Sequence, residues 1–181
     1  QAELVVLLKI EETLLQGVSV RAIDFSEKEQ EFITPLQFIT SKPVLYVCNV
    51  DENSAVSGNA YVDQVKEAVN NEDAEVIVLA VGTEADITEL EDYDERQLFL
   101  EDIGLEEAGV SRLIRSAYKL LNLQTYFTAG VKEVRAWTIQ IGATGPQAAG
   151  VIHTDFEKGF IRAETISYED YVTFGTEAKV K

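Results

Sequence analysis

The sequence has almost none of the residues from which metal, disulfide or thiol chemistry is built. It contains one cysteine, Cys48, one histidine, His153, and no methionine. A single cysteine cannot form an internal disulfide, which fits a reducing compartment. No metal-ligand, CxxC or Ser-His-Asp constellation is recognisable. We therefore expect no catalytic and no metal-binding residue in this chain.

Long hydrophobic runs and targeting segments are also missing. No apolar stretch approaches the ~20 residues that span a bilayer, and no basic leader precedes an apolar segment. The sequence therefore predicts a soluble, cytoplasmic protein with no membrane partner. Because it lacks a start methionine and opens on "QAELVVLL", which has the pattern of a helix interior, we expect it to be part of a longer protein.

Positive charge is scarce, and its distribution is uneven. The formal net charge is −17. Residues 1–125 hold nine Lys/Arg against twenty-five Asp/Glu, whereas residues 126–181 hold six against seven. A polyanion is repelled by such a surface, so the composition argues against DNA binding. Any contact with RNA is expected in the last third of the chain.

The first forty residues predict two helices. The first ends at Gly17, and the second begins with Ser26 and Glu29 at capping-box spacing and is interrupted by Pro35. The first helix carries a leucine stripe that we expect to pack against a neighbour, made of Leu4, Leu7, Leu8, Leu14 and Leu15.

The next segment has the pattern of a βαβ unit. "VLYVCNV" and "AEVIVLAV" read as strands buried on both faces, and "NAYVDQVKEAVNN" between them has helical spacing. This pattern predicts an α/β fold with a parallel sheet. The carboxyl ends of parallel strands meet at one edge, so residues 49–52 and 80–84 should share a rim.

The rest of the chain predicts helices and then a separate small α+β unit. Residues 84–123 read as three helices, the last being "SRLIRSAYKLL". The α+β unit contains a strand in "VRAWTIQIG", a short helix in "GPQAAGVIHTDF" and a further strand in "GFIRAETISY".

The polar residues that follow the first strand are the candidate site. An Asn amide offers both a donor and an acceptor, and an acid three residues later can accept from a ring or exocyclic N–H. Asn49 and Glu52 have this spacing and would match the edge of a purine. The same stretch also fits a turn rich in Asn and Asp, and spacing alone leaves both interpretations open.

Three segments resemble the YchF (Obg-like) ATPases, and the resemblance covers nearly the whole chain. They are "KPVLYVCNVDE", "EADITELEDYDERQLFLEDIGLEEAGVSRLIRSAYKLLNLQTYFTAG" and "KEVRAWTIQIGATGPQAAGVIHTDFEKGFIRAETISYEDYV". The resemblance implies a P-loop GTPase-like parallel sheet with a helical insertion, followed by a small β-grasp (TGS, ubiquitin-like) α+β domain. It assigns 1–40 to the end of the helical (coiled-coil) insertion, 41–122 to the C-terminal part of the nucleotide-binding G domain, and 123–181 to a TGS domain that is incomplete.

The same resemblance implies a nucleotide base site. Asn49-Val50-Asp51-Glu52 is similar to the N-x-x-E variant of the GTPase N-K-x-D motif, which goes with a preference for ATP. Asn49 and the Val50 backbone would contact the base, Glu52 would stand where the guanine-reading Asp stands, and Asp51 would point elsewhere. The second rim loop would approach the base through its backbone at Ala80, Val81 and Gly82. The Ser and Lys that the family carries in this loop are missing here.

The function implied by the resemblance is ATP binding and hydrolysis coupled to association with the ribosome. ATP and Mg²⁺ would be the cofactors, and the ribosome or its RNA would bind through the TGS domain. The P-loop G-x-x-x-x-G-K-[ST] is absent from this sequence, so we expect the Mg²⁺ ligands and catalytic residues outside the chain and the chain alone to be inactive. A non-catalytic β-grasp module that binds RNA or protein, and a GTPase, are the alternatives.

Cations and aromatic residues alternate in the last third, a pattern that can bind RNA. Alternatively, Trp137, Ile139 and Ile141 fill a core and the cations are ordinary surface residues. The residues of this pattern are Lys132, Arg135, Lys158, Arg162, Trp137, Phe156 and Phe160.

Overall fold

The computed structural model describes residues 2–72 and 74–180. The chain divides into two compact units, Gln1–Leu121 and Asn122–Lys181. The three-part division at 1–40, 41–122 and 123–181 stays a prediction. Within the described part of the chain, no helix has both the length and the apolar character that crossing a membrane requires.

Unit 1 begins with two helices and short 3-10 turns. Helix α1 (Ala2–Leu15) is followed by Gly17 at φ 76°, and α2 (Glu27–Ile33) begins with the predicted capping box, in which the Ser26 N–H donates to Glu29 Oε2 at 2.8 Å. The predicted end of α1 at Gly17 and the predicted start of α2 at Ser26 are confirmed. The turns are Val20–Ala22, Thr34–Leu36, which contains Pro35, and Ile39–Ser41.

The leucine stripe predicted to pack in α1 is exposed instead. The buried face of α1 consists of Val6 and Ile10, which join Val20 and Ile33 in the core of this region. Helical spacing defines an apolar arc but does not say which part of it meets a neighbour, and here the β-branched pair makes the contact. All five leucines, Leu4, Leu7, Leu8, Leu14 and Leu15, are exposed.

The predicted βαβ unit is confirmed. Strands β1 (Leu45–Asn49) and β2 (Glu75–Leu79) pair in parallel, and α3 (Ala60–Ala68) lies between them in sequence. The expectation that β1 is buried on both faces is wrong, since Val47 is 45% exposed. In β2, by contrast, Ile77 and Leu79 are buried. Each of these strands has the other as its hydrogen-bonded neighbour among the described residues, and α3 contacts β2.

Three helices complete unit 1. They are α4 (Val81–Glu89), α5 (Tyr93–Asp102) and α6 (Gly109–Leu120), as the sequence predicts. Helix α6 packs against both strands, and α3 contacts β2.

In its described residues, unit 2 contains an antiparallel strand pair and four short helices. β3 (Leu123–Ala129) pairs with β4 (Val134–Gln140), and the connecting turn is closed by the Gly130 N–H donating to the Glu133 carbonyl at 2.9 Å. Sequence patterning predicts β4 but not β3. The helices are α7 (Gly145–Ile152), α8 (Thr154–Lys158), α9 (Tyr168–Phe174) and α10 (Glu177–Val180).

The strand predicted in "GFIRAETISY" is wrong. Residues 160–167 form no strand, and Ile161 is 91% exposed. β-branched residues favour an extended backbone, but a strand also needs a neighbouring edge to pair with. In the described residues the only paired strands are β1 with β2 and β3 with β4.

The carboxylate of Glu72 links the first forty residues to the sheet, because it accepts hydrogen bonds from both. Glu72 Oε2 accepts from Arg21 Nε at 2.9 Å and from the Tyr46 hydroxyl at 3.0 Å, while Arg21 Nη1 also donates to the Thr40 carbonyl. The Arg21 hydrogen bond, supported by Tyr46, holds the pKa of Glu72 below its usual range against the opposing effect of burial. The charged form of Glu72 therefore favours the folded state.

Replacing Glu72 by Gln should reduce stability at neutral pH but not in acid. Because folding lowers the pKa of Glu72, its contribution is present above the usual glutamate pKa and is lost as pH falls through the lowered value. We expect E72Q to cost about 1 kcal/mol at pH 7, a fall in Tm of roughly 2–4 °C, and the two curves to converge as pH falls below the lowered pKa of Glu72.

The control is Glu67→Gln, which makes the same charge change on an exposed position of α3. Thermal unfolding followed by circular dichroism between pH 3 and 8 measures both variants. A Tm of E72Q equal to that of the wild type at pH 7 would contradict the role of this ion pair.

Candidate functional site

The ends of the two parallel strands meet, as the sequence predicts. Asn49 lies opposite Leu79 in the register, and the Val50 N–H donates to the Leu79 carbonyl at 2.9 Å. The Asn49 side chain then crosses to the next strand, where its Oδ1 accepts from the Val81 N–H at 3.1 Å. The residues predicted at the two rims therefore form one continuous edge.

The oxygen of the Asn49 amide is hydrogen-bonded within the protein, whereas its nitrogen is free to bind a ligand. The acceptor of this bond must be the amide oxygen, because a backbone N–H can only donate. The amide nitrogen, with two donors, has no hydrogen bond to the described residues, and the residue is exposed. Asn49 can therefore donate to a ligand while its oxygen holds the rim.

The neighbouring acids Asp51 and Glu52 have different roles. Asp51 caps the 3-10 turn Glu52–Ser54, and its carboxylate accepts from the Ser54 N–H at 2.9 Å. Glu52 is exposed and makes no side-chain hydrogen bond to the described part of the chain. The carboxylate of Asp51 is thus held by the turn, whereas that of Glu52 is free to turn toward a ligand.

The segment predicted as a second rim loop is instead the N-cap (Ala80) and the first turn (Val81 and Gly82) of α4. Ala80 is buried, whereas Val81 and Gly82 are exposed. A Cβ at Gly82 would meet no atom within 4 Å, so the space above it is open. The Gly82 N–H lies in the first turn of α4, where backbone donors have no intrahelical acceptor. Because the Val81 N–H is bound by Asn49, this segment can offer the Gly82 N–H to a ligand.

Sequence reasoning missed a second contact at the same edge, made by Glu84. Its Oε1 accepts from the Gly109 N–H at 2.7 Å and its Oε2 from the Val110 N–H at 3.4 Å. The start of α6 therefore lies against the start of α4. Gly109 is buried, and a Cβ there would collide with Leu79 Cδ2 and lie 2.6 Å from Glu84 Oε1. The available signal was a glycine at the start of a helix whose N-cap, Ala108, cannot cap it.

In unit 2 the structure joins one cation with one aromatic ring from the predicted RNA-binding pattern. The Arg135 guanidinium lies 4.1 Å from the centre of the Trp137 ring, and Trp137 Nε1 donates to Thr128 Oγ1 at 2.9 Å. Ile141 is 52% exposed, so the alternative that it fills the core is wrong, although Trp137 and Ile139 are half-buried.

The other residues of that pattern are not gathered around Arg135 by any described contact. Phe160 lies under the start of α7, where a Cβ at Gly145 would come within 2.8 Å of its ring. Phe156 is 54% exposed and pairs with the His153 ring at 6.0 Å. Lys132, Lys158 and Arg162 are exposed.

The geometry defines the chain as an α/β protein in which parallel strand ends present a polar edge, followed by a small unit with an antiparallel sheet. Residues 123–181 match a family model described as YchF-GTPase_C, protein of unknown function (DUF933). Proteins named "Ribosome-binding ATPase YchF" are similar over the chain. The Escherichia coli O157:H7 protein is 54% identical over 181 residues, which are 100% of this chain and 49% of that protein. The Bacillus subtilis protein is 46% identical, over 99% of this chain and 49% of its own length.

A solved structure agrees with these relatives. It is described as the structure of the Schizosaccharomyces pombe YchF GTPase, with a TM-score of 0.84 and 33% identity over 97% of this chain and 47% of that one. The chain belongs to the YchF family. It spans about half the length of the relatives it matches.

Gly109→Ala should destabilise the protein because the added methyl has no room. The collision with Leu79 and the Glu84 carboxylate forces one of them to move, at a cost of about 1–3 kcal/mol. Gly82→Ala is the matched control, since its methyl enters open space and alanine favours a helix by about 0.5–1 kcal/mol. Thermal unfolding should give a lower Tm for G109A and an unchanged or higher Tm for G82A. A G109A protein as stable as the wild type would show that α6 does not approach α4 this closely.

Proposed function

We propose that the intact protein is an Obg-like P-loop ATPase that associates with the ribosome, and that this chain supplies the edge that reads the nucleotide base. The observation that carries the proposal is the bond from the Val81 N–H to Asn49 Oδ1. It supports the proposal because the amide donor of Asn49 then lies beside the start of α4, where the Gly82 N–H has no intrahelical acceptor. The names of the relatives, which call them ribosome-binding ATPases, support both the ATPase activity and the association with the ribosome.

The donors and acceptors at this edge suit a purine. The Asn49 amide nitrogen can donate to N7, an acceptor that adenine and guanine share. Selection between the bases would then fall to Glu52, which stands where a GTPase would carry the Asp that reads the guanine N1–H and amine. Glutamate is one methylene longer, so that paired contact would no longer fit. Preference for ATP follows, with GTP as the alternative ligand.

The phosphates and the reaction would be handled by other parts of the protein. No group of three metal-binding side chains occurs among residues 2–72 and 74–180, and the P-loop sequence is absent. Mg²⁺ bound with ATP would supply charge neutralisation on the phosphates, with its ligands outside this chain. The part played by these residues is to bind and orient the base.

Unit 2 would be a TGS-type β-grasp domain that contacts the ribosome or its RNA, which would place the protein in the cytoplasm. The observation that favours this role is the Arg135 guanidinium stacked over Trp137, since a base can stack on either kind of surface. Residues 126–181 are close to neutral, so they do not add to the repulsion that the rest of the chain exerts on a polyanion. A β-grasp module that binds RNA or protein without catalysis stays the alternative.

Asn49→Ala should lower the affinity for ATP, whereas Glu52→Asp should change the preference between ATP and GTP. Asn49→Ala removes the donor and the tie between the rims, so we expect roughly tenfold weaker ATP binding. Glu52→Asp restores the guanine-reading acid and should shift the ratio of ATP to GTP affinity toward GTP by roughly tenfold. Isothermal titration calorimetry of the full-length protein with each Mg²⁺-nucleotide measures both.

Asn53→Ala is the control for these substitutions. Asn53 is exposed in the same 3-10 turn and makes no side-chain hydrogen bond to the described residues, so its loss should leave both affinities unchanged. Unaltered ATP and GTP affinities in N49A and E52D would remove the base-reading role.

Arg135→Glu tests the role of unit 2. Reversing this charge should weaken ribosome binding several-fold and reduce the salt dependence of the association constant by about one unit of log–log slope. Lys66→Glu makes the same charge change on an exposed position of α3 in unit 1 and should have a smaller effect. Co-sedimentation with ribosomes at several salt concentrations provides the measurement. Equal effects of R135E and K66E would mean that net charge, and not unit 2, determines binding.

A further inference from the structure

Helices α4 and α6 both begin without a capping side chain of their own. Their N-cap residues are Ala80 and Ala108, and neither makes a side-chain cap bond. Alanine is a poor N-cap because it has no acceptor for the free N–H groups of the first turn. In each helix the missing acceptor comes from a distant residue.

The two distant acceptors form a chain from the sheet to α6. Asn49, at the end of β1, accepts from the Val81 N–H at the start of α4. Glu84, in the first turn of α4, accepts from the Gly109 N–H at the start of α6, 25 residues away. The first contact joins the end of β1 to the start of α4, and the second joins the start of α4 to the start of α6, so the start of α4 is held from two sides.

Electrostatics and packing favour a carboxylate at this position. The positive ends of two helix dipoles converge on Glu84, which lies in the first turn of α4 and against the start of α6. The short distance depends on Gly109, since any Cβ there would meet Leu79 and the carboxylate itself. Glu84 is half-buried, so solvent competes only in part for these bonds.

We infer that Glu84 is a positioning residue for the base edge, and that it fixes Ala80–Gly82, the N-cap and first turn of α4, by tying α4 to the start of α6. The inference rests on the proposed nucleotide site. Glu84 would not contact the nucleotide, yet it would set the affinity of the protein for the base and leave its affinity for the phosphates unchanged. A carboxylate that merely caps α6 would contribute to stability alone.

The experiment compares Mg²⁺-ATP with Mg²⁺-tripolyphosphate, which shares the phosphate chain but lacks the base. In the full-length protein, Glu84→Ala should weaken ATP binding roughly 5- to 30-fold, the range that loss of a cap corresponds to, and leave tripolyphosphate binding unchanged. Glu84→Gln keeps an oxygen acceptor for the Gly109 N–H and should restore most of the ATP affinity. Glu89→Ala, an exposed acid at the other end of α4, should change neither.

A measurement on the wild type covers the case in which E84A does not fold. Hydrogen exchange of the peptide that contains Gly109 should slow on addition of Mg²⁺-ATP and stay unchanged with Mg²⁺-tripolyphosphate, because only the base would stabilise the tied edge. Equal protection by the two compounds would overturn the inference, as would an E84A protein that binds ATP like the wild type or loses both compounds equally.

The outcomes also separate this inference from the proposed function. If N49A loses its preference for ATP over tripolyphosphate while E84A keeps it, the base site stands and the positioning role of Glu84 fails. If the wild type binds ATP no better than tripolyphosphate, the base site itself fails.

Discussion

The hydrogen bond between Asn49 Oδ1 and the Val81 N–H is the constraint on which the candidate site depends. It exists because the parallel register sets Asn49 opposite Leu79, which leaves Val81 two residues beyond the end of β2 and within reach of a short amide. A shift of one residue in the register would turn every β1 side chain to the other face of the sheet. The buried residues of β2 therefore determine, through the register, where the amide donor points.

The order of the two acids after β1 also matters. An aspartate side chain is short enough to cap the turn that follows it, and Asp51 does this by accepting from the Ser54 N–H. Glu52, one residue later, starts the turn and keeps its carboxylate in solvent. Asp51 therefore shapes the turn, and the longer side chain of Glu52 has no hydrogen bond to the described residues that would hold it in place.

The parts of the fold that were predictable depend on local patterns. The βαβ unit and its shared rim follow from two apolar runs around an amphipathic segment, and the capping box at Ser26 from four residues. The errors have a common physical origin. The sequence of one segment does not determine which other segment packs against it or pairs with it. The α1 leucines have helical spacing yet are exposed, and residues 160–167 have strand composition yet no described partner edge. The Glu84–Gly109 contact joins residues 25 apart in the sequence, and it could not be predicted for the same reason.

Charge explains why the base and the phosphates of the proposed nucleotide would be bound by different parts of the protein. Residues 1–125 carry a large excess of acids, and the long-range field of such a surface repels a triphosphate. The attractive groups at the rim are short-range ones, namely the Asn49 amide nitrogen and the first-turn N–H groups of α4. Groups of this kind suit a neutral ring that approaches within hydrogen-bonding distance. The phosphates require cations, and residues 49–52 and 80–84 include none, so the proposed role of this edge is limited to the base.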